Sequence, residues 1–320
     1  MIVTVTINPS VDRTARTTGT VTRGGVNRLE ATTSEPGGKG VNVSRAIHLA
    51  GRPTVAVLPA ADRDPLLEGL RRIAVPYRNV PIGQPVRSNL TVVEDDGTTT
   101  KFNEPGATLD EENLVALRNS ITAAVRQGAH WVALCGSLPP GVPARTYGHL
   151  VEMLHELDVQ VAVDTSDAPL QALAAGLPGV APDLVKPNSE ELGQLAGIDG
   201  SDFEEQASQG NWEPVLSAAR SLTDRGIGAV LVTLGGAGAL LVTADGAWHA
   251  TPPSITVAST VGAGDSSLAG YLLACEEGLA PDERLRRAVA YGTAAAALPG
   301  SQIPTPDQTR PDQVTVTQLA

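Results

Sequence analysis

Short apolar runs separated by amphipathic stretches dominate this chain. Residues 2–7 alternate β-branched side chains with Thr, the pattern of a strand. Further apolar runs fall at 131–134, 159–163, 184–186 and 230–233. Val43, Ala46, Ile47 and Ala50 recur at helical spacing with Gly51 behind them, which predicts a helix over 41–50. Helical periodicity over roughly 110–127, 144–157, 188–196 and 213–225 separates most of the apolar runs. Strands alternating with helices predict an α/β fold with a mostly parallel central sheet flanked by helices.

Two stretches break the rhythm. Residues 13–35 and 86–104 are rich in Thr, Val, Arg and Asn and lack helical periodicity. Residues 86–93 and 98–102 flank Glu94-Asp-Asp-Gly97, which reads as a hairpin with Asp96-Gly97 in the turn. Both stretches are expected to form a small β-sheet lid inserted in a single domain spanning 1–320. Residues 199–213 read as an acidic surface loop, and the segment from Gln302, with three prolines, as a surface appendage. The uncharged stretch 226–244 is interrupted by Gly235-Gly-Ala-Gly238, which suits two strands and a turn better than a membrane helix.

Composition narrows the partners. The chain of 320 residues is 42% apolar, enough for a large core, and its formal net charge is -12. So acidic a surface repels nucleic acid and anionic lipid, so neither is expected as a partner. An anionic substrate would need a local basic pocket. Cys135 and Cys275 lie in apolar runs without metal spacing and read as core thiols of a reducing compartment. The N-terminus carries no basic leader, and a cytoplasmic protein is expected. The five histidines show no metal-ligand spacing, and no Gly-x-Ser-x-Gly elbow supports a hydrolase triad.

In an open parallel sheet, ligands sit beyond the carboxyl ends of the strands. Here residues 8–12, 136–141, 164–166, 186–191 and 233–238 follow apolar runs and are polar or glycine-rich. Ser259-Thr-Val-Gly-Ala-Gly-Asp265 is the strongest of the motifs. A helix is expected to begin near Asp265, since Leu268, Tyr271, Leu272 and Cys275 share a face and Gly278 ends it. The turn 262–264 would then present backbone N–H groups to an anion, beside a carboxylate able to accept a hydroxyl proton. Asp265 acting only as a helix cap is the alternative. Glu35-Pro-Gly-Gly-Lys-Gly-Val-Asn42 opens another helix, where Lys39 adds a charge and Asn42 a bidentate polar group. It has neither P-loop nor dinucleotide-fingerprint spacing, and an ordinary strand–helix turn would also explain it. Lys186-Pro-Asn-Ser-Glu-Glu191 places Asn188 and Glu191 either near a hydrated Mg²⁺ or in simple capping positions. Thr233-Leu-Gly-Gly-Ala-Gly238 alone is no more than a glycine hairpin, and Asp12 in Asn8-Pro-Ser-Val-Asp12 is a turn former that could also bind sugar hydroxyls.

Taken together and in order, these segments resemble the PfkB (ribokinase-like) carbohydrate kinases. The resemblance runs from Asn8-Pro-Ser-Val-Asp-Arg-Thr through Pro36-Gly-Gly-Lys-Gly-Val-Asn-Val, Cys135-Gly-Ser-Leu-Pro-Pro-Gly, Asp164-Thr-Ser and Val185-Lys-Pro-Asn to Gly262-Ala-Gly-Asp265 and Leu298-Pro-Gly-Ser. It implies the ribokinase-like three-layer fold with a β lid, and ATP and Mg²⁺ as cofactors with a monovalent cation as a further candidate. Its closest branch phosphorylates fructose 1-phosphate to fructose 1,6-bisphosphate. Tagatose 6-phosphate and fructose 6-phosphate are the alternative substrates, and a non-catalytic sugar-phosphate sensor is the alternative of another class. By resemblance Asp265 is the base and Gly262, Ala263 and Gly264 form the anion hole. Asp12, Gly38 and Asn42 hold sugar hydroxyls, Lys39, Arg87 and Arg28 are candidates for the substrate phosphate, and Ser137 lines the substrate site. Lys186, Asn188, Thr233, Gly235, Gly236, Gly238 and Gly264 face the nucleotide, with Glu191 near Mg²⁺ through water. The resemblance also implies a homodimer formed through the lid. Leu58-Pro-Ala-Ala-Asp-Arg-Asp-Pro departs from it, lacking the glycine that the family often carries there.

Overall fold

Ile2 packs to one side of the first strand while Val3 and Val5 pack to the other. The same alternation separates Ala133 from Val132 and Leu134, so a central sheet is buried on both faces between two apolar layers. The computed structural model describes residues 1–319. In chain order its strands are β1 (Ile2–Thr6), β2 (Ser10–Thr17), β3 (Leu29–Gly37), β4 (Thr54–Ala60), β5 (Tyr77–Pro81), β6 (Arg87–Val93), β7 (Thr99–Asn103), β8 (Trp131–Cys135), β9 (Gln160–Asp164), β10 (Leu184–Val185), β11 (Ala229–Thr233), β12 (Ala239–Thr243), β13 (Gly246–Thr251) and β14 (Thr315–Gln318). The helices are α1 (Lys39–Leu49), α2 (Pro65–Arg72), α3 (Glu111–Val125), α4 (Thr146–His155), α5 (Asp167–Gly176), α6 (Ser189–Ala196), α7 (Phe203–Ser208), α8 (Glu213–Thr223), α9 (Ala263–Glu276) and α10 (Pro281–Ala296).

Ten strands form the main sheet in the order β14-β13-β12-β11-β10-β9-β8-β1-β4-β5. The seven from β11 to β5 pair in parallel, and the three beyond β11 add antiparallel. Helices α3, α4, α5, α6 and α8 contribute to the apolar layer on one face, and α1, α9 and α10 to that on the other. The parallel strands therefore end together, and their carboxyl ends define one edge. Over that edge stands a second sheet of four strands, β3-β2-β6-β7, built from the two stretches that lack helical periodicity. The hairpin forms where Asp96-Gly97 predicted it: Gly97 has φ 88°, and Val93 pairs with Thr99.

Two expectations need correction. Residues 199–213 are not a plain surface loop, because α7 forms there and buries Phe203 and Ala207. The tail from Gln302 is not an appendage. Ile303 and Val314 are buried, and β14 closes the antiparallel end of the main sheet by pairing with β13. The prolines shape two short 3₁₀ turns that lead the chain back to the sheet. Cys275 is only partly buried, whereas Cys135 is fully so. Among the described residues no helix is long and apolar enough to cross a membrane.

Val314 is 2% exposed, so Val314→Ala should cost about 2 kcal/mol, from two lost methyl groups and the cavity they leave. A tail lying loosely on the surface would give a change within about 0.5 kcal/mol. Urea denaturation of the two proteins, compared at their midpoints, distinguishes these outcomes.

Candidate active site

The carboxyl edge of the parallel strands collects the polar segments. Helix α9 begins there after Gly262, whose φ of 80° is the left-handed conformation that glycine adopts without strain. Asp265 lies in the first turn of α9 and is buried. It does not cap that helix. Its Oδ2 accepts a hydrogen bond from Asn42 Nδ2 at 2.9 Å, which joins the start of α9 to the start of α1. Burial pushes the Asp265 carboxyl above the ordinary aspartate range; Lys39 pulls it back and Asp164 adds to the rise.

Helix α1 starts after Gly38, at φ 108°, where a Cβ would stand 2.8 Å from Thr6 Cγ2. This close approach lays the glycine turn on the end of β1. Lys39 follows and donates from Nζ to Asp164 Oδ1 at 2.8 Å. Lys186 Nζ lies 3.3 Å from the other oxygen, Asp164 Oδ2. Asp164 ends β9 with its side chain wholly buried, so one carboxylate bridges two ammonium groups from separate segments. Burial alone would raise its pKa, but Lys186 and Lys39 outweigh that and hold it below the ordinary value. For Lys39 the balance runs the other way: burial disfavours the ammonium, yet Asp164, then Asp265 and Glu191, hold its pKa above that of a free lysine. A Cβ on Gly264 would stand 3.2 Å from Lys186 Nζ, so the second lysine reaches the α9 turn.

The small sheet contributes a second group of side chains. Ser10 pairs with Arg87 across β2 and β6, and Asp12 pairs with Asn89. Asp12 Oδ1 accepts from Ser10 Oγ at 2.7 Å and from Asn89 Nδ2 at 3.0 Å. Burial lowers the pKa of Arg87 against the opposing pull of Asp12. Arg87 Nε, Asn89 Oδ1 and Asn42 Oδ1 are buried with no hydrogen-bond partner. Buried polar atoms are nearly always paired, so three orphans around one edge mark a place built for a polar ligand. Asn8 Nδ2 donates to Pro105 O at 3.0 Å and to Ser137 Oγ at 3.3 Å, which brings Ser137 to the same edge. The glycine-poor loop after β4 has its own device. Asp64 caps α2 through Leu66 N at 2.9 Å, and its other oxygen accepts from Val86 N at 2.9 Å, anchoring the entry to β6.

Asn188 and Glu191 form a reciprocal capping box on α6: Glu191 N donates to Asn188 Oδ1 at 2.8 Å and Asn188 N to Glu191 Oε2 at 2.9 Å. Both residues therefore have a structural task whatever else they do. Glu191 is buried, which raises its pKa despite Lys39, so a nearby cation would favour its ionised form. Among the described residues no group of three or more His, Cys, Asp or Glu side chains gathers as a metal cage. One buried carboxylate suits a largely hydrated Mg²⁺. Thr233 forms a parallel bridge with Asn188, and Gly235, Gly236 and Gly238 lie in the turn between β11 and β12 beyond it. Arg28 stands apart. It is exposed, one residue before Leu29, which pairs with Thr17 at the far end of β2 from Ser10.

Asp164 and Asn89 are the site residues to which the sequence assigned no role. Asp164 stood in a recognised Asp-Thr-Ser segment after a strand, but its two lysine partners lie 125 positions back and 22 ahead.

A helix start beside a buried carboxylate, with two lysines and a set of orphaned polar atoms, defines a group-transfer site for a polar, anionic substrate. A model of the pfkB family carbohydrate kinases matches residues 5–308, and the chain belongs to that family. It is thus a phosphotransferase acting on a sugar hydroxyl. The chain is 35% identical to a 1-phosphofructokinase of Rhodobacter capsulatus, over 96% of this chain and 94% of that one. It is 34% identical to the ATP-dependent 6-phosphofructokinase isozyme 2 of Escherichia coli, over 97% and 96%. The crystal structure of E. coli phosphofructokinase-2 in complex with substrates and products superposes with a TM-score of 0.84 at 31% identity, covering 96% of each chain.

Removing one partner from a buried ion pair costs about 3 kcal/mol or more, so Asp164→Asn should destabilise the protein by that order at pH 7. The pH dependence has two limbs. Asp164 sits below the ordinary aspartate pKa, so its contribution is present above about pH 3.9 and lost as pH falls through the folded value. Lys39 sits above the ordinary lysine pKa, so its contribution is complete below about pH 10.4 and lost as pH rises through the folded value. Urea midpoints across pH should show both limbs in the wild type and a flattened acid limb in the variant. An unchanged midpoint at pH 7 would mean that the bridge is dispensable.

Proposed function

We propose that this protein transfers the γ-phosphoryl group of ATP to fructose 1-phosphate, giving fructose 1,6-bisphosphate and ADP. The observation that carries this reading is the place of Asp265: buried in the first turn of α9, beside Gly262, Ala263 and Gly264, and bonded to Asn42 rather than to its own helix. In the reaction the acceptor hydroxyl gives its proton to an Asp265 carboxylate oxygen. The freed oxygen forms a bond to the γ-phosphorus as the bond to the β-phosphate bridging oxygen breaks. The N–H groups of the 262–264 turn face the oxygens on which charge gathers. Asp12, Gly38 and Asn42 hold the sugar hydroxyls. Arg87 and Lys39 supply the cations a sugar phosphate needs in a chain of net charge -12, and Ser137 closes the substrate side. Lys186, with the 233–238 turn, faces the nucleotide. Bound Mg²⁺, held through water by Glu191, would supply further neutralisation of the phosphates.

Relatives named as 1-phosphofructokinases from several species favour this substrate over fructose 6-phosphate or tagatose 6-phosphate, which are the alternatives on the same site. The small sheet serves as a lid, since β6 carries Arg87 over the edge and β2 carries Asp12. Exposed Leu29 on β3 and Phe102 on β7, with Val26 in the loop before β3, suit the sheet of a second copy and support a reading as a homodimer. That copy would be the route by which Arg28, distant from its own site, acts on substrate. The use of ATP supports a cytoplasmic location.

ADP release measured separately with fructose 1-phosphate, fructose 6-phosphate, tagatose 6-phosphate and fructose should be strongest with the first; preference for another would replace the substrate. Asp265→Asn should lower kcat by about 10²–10⁴ while ATP still binds, and near-normal turnover would remove Asp265 from the base role. Since burial raises the Asp265 pKa and the base must be ionised, the acid limb of kcat/KM should lie above the ordinary aspartate range near pH 3.9. Arg87→Ala should raise the KM for the sugar phosphate about tenfold or more and leave that for ATP nearly unchanged. Equal effects on both would take Arg87 off the substrate phosphate.

A further inference from the structure

The chain has a second concave site at the opposite edge of the sheet. Met1, which leads into β1, pairs its ammonium with Glu276 at 3.0 Å, and Arg52 lies two residues before β4. The C-terminal end of α9 therefore meets the amino ends of the parallel strands. Glu277 is twelve positions beyond Asp265, roughly 18 Å along the helix axis. A cleft of about 240 Å³ opens beside it, lined by Arg52, Leu273, Arg287, Tyr291 and, from the tail, Thr309. Four separate parts of the chain meet there, and the phosphoryl transfer makes no use of any of them.

Its charges are unbalanced. Arg52 donates from one nitrogen to Glu277 Oε1 at 2.7 Å, and Arg287 donates to Glu277 Oε2 at 2.6 Å. Two guanidinium groups thus converge on a single carboxylate. Burial disfavours the Glu277 carboxylate, but the hydrogen bonds from Arg52 and Arg287 outweigh it and keep its pKa below the ordinary glutamate value. The neighbouring Glu276 turns to the N-terminal ammonium and His130 instead. The cleft keeps one positive charge in excess, inside a chain of net charge -12. Arg52 and Arg287 are partly exposed, so both forks are open to solvent.

We propose that this cleft binds a small phosphate-bearing anion, whose oxygens take the place of the Glu277 carboxylate between Arg52 and Arg287. The guanidinium fork matches a phosphate as well as it matches a carboxylate, and once Glu277 turns out to solvent a phosphate dianion balances the two guanidinium charges. Leu273 and the Tyr291 ring offer an apolar wall to a short carbon skeleton. A cavity of about 240 Å³ falls below the usual range for nucleotide- or drug-sized ligands, so the anion is small.

Isothermal titration with sn-glycerol 3-phosphate, and separately with inorganic phosphate, tests this. Phosphate that enters the substrate site at the other edge also gives heat, so the variants carry the decision. Arg52→Ala and Arg287→Ala should each weaken the cleft's affinity about tenfold while leaving turnover unchanged. Glu277→Gln should tighten it about fivefold, because the internal competitor is gone, and should enlarge the rise in Tm that saturating ligand gives. Opposite shifts in the two kinds of variant support the site, and a structural clip would not produce them. Should an arginine variant fail to fold, tightening in Glu277→Gln still decides. Tighter binding of glycerol 3-phosphate than of inorganic phosphate identifies an organic phosphate as the ligand, and equal binding identifies free phosphate. No heat from either, or the same affinity in wild type and in Glu277→Gln, would overturn the proposal.

Discussion

One buried carboxylate between two ammonium groups organises the carboxyl edge. Asp164 carries its charge with no exposed surface, which is tolerable only because Lys39 and Lys186 both reach it. Each lysine sits at the boundary of another element. Lys39 opens α1, and Lys186 follows β10 and reaches to within 3.2 Å of the Cβ position of Gly264. The bridge therefore holds three chain segments against one another: the glycine turn before α1, the strand end that leads into α6, and the turn that starts α9. The sheet order makes it feasible, since β10 lies beside β9, and β9 beside β8, which abuts β1.

This organisation explains which parts of the molecule could be read from the chain alone. Local grammar was legible. A glycine turn, a short polar residue and then apolar positions at helical spacing identify the starts of α1 and α9, because the backbone requirements at Gly38 and Gly262 fall within a few residues. The Asp96-Gly97 turn was legible for the same reason. What escaped depends on distant partners. Nothing near Asp164 announces two lysines, and nothing near Asn89 announces Asp12. The outermost strand was missed because β14 is a polar Thr-Val-Thr-Gln segment, recognisable as a strand only through its pairing with β13. Residues 199–213 looked like solvent-facing loop because their charges outnumber the apolar residues. A single turn that inserts Phe203 and Ala207 is enough to dock them. The capping box of Asn188 and Glu191 shows a different limit. Sequence spacing pointed to this segment, but the same spacing serves a helix cap, and the cap is what the geometry contains.

The small sheet is tied to the site by more than its own strands. Glu35, near the end of β3, accepts from Ser301 Oγ at 2.9 Å and lies 3.5 Å from Arg45 on α1. Ser301 belongs to the Leu-Pro-Gly-Ser segment after α10. Both ends of the layer formed by α1, α9 and α10 thus meet the root of β3, while Asp64 holds the root of β6. The small sheet is thus fixed at its roots to the layer and loop beneath it.

The two aspartates at the centre are set apart by their surroundings and not by their chemistry. Both are buried, and both lie close enough to Lys39 for its charge to matter. Asp164 has an ammonium group on each oxygen, and its pKa falls. Asp265 has only the neutral amide of Asn42, and burial wins, so its pKa rises. A carboxylate firmly ionised across the working range serves as a fixed counter-charge that keeps two lysines in place. One poised closer to neutrality can both give up and accept a proton. Pairs of titratable groups pushed in opposite directions are the pattern expected where one group holds charge and the other moves protons. The bridge to Asp164 sharpens that division. The Lys39 ammonium engages Asp164 directly, at 2.8 Å, and acts on Asp265 only through its charge, so the proposed base is not held as a second fixed anion.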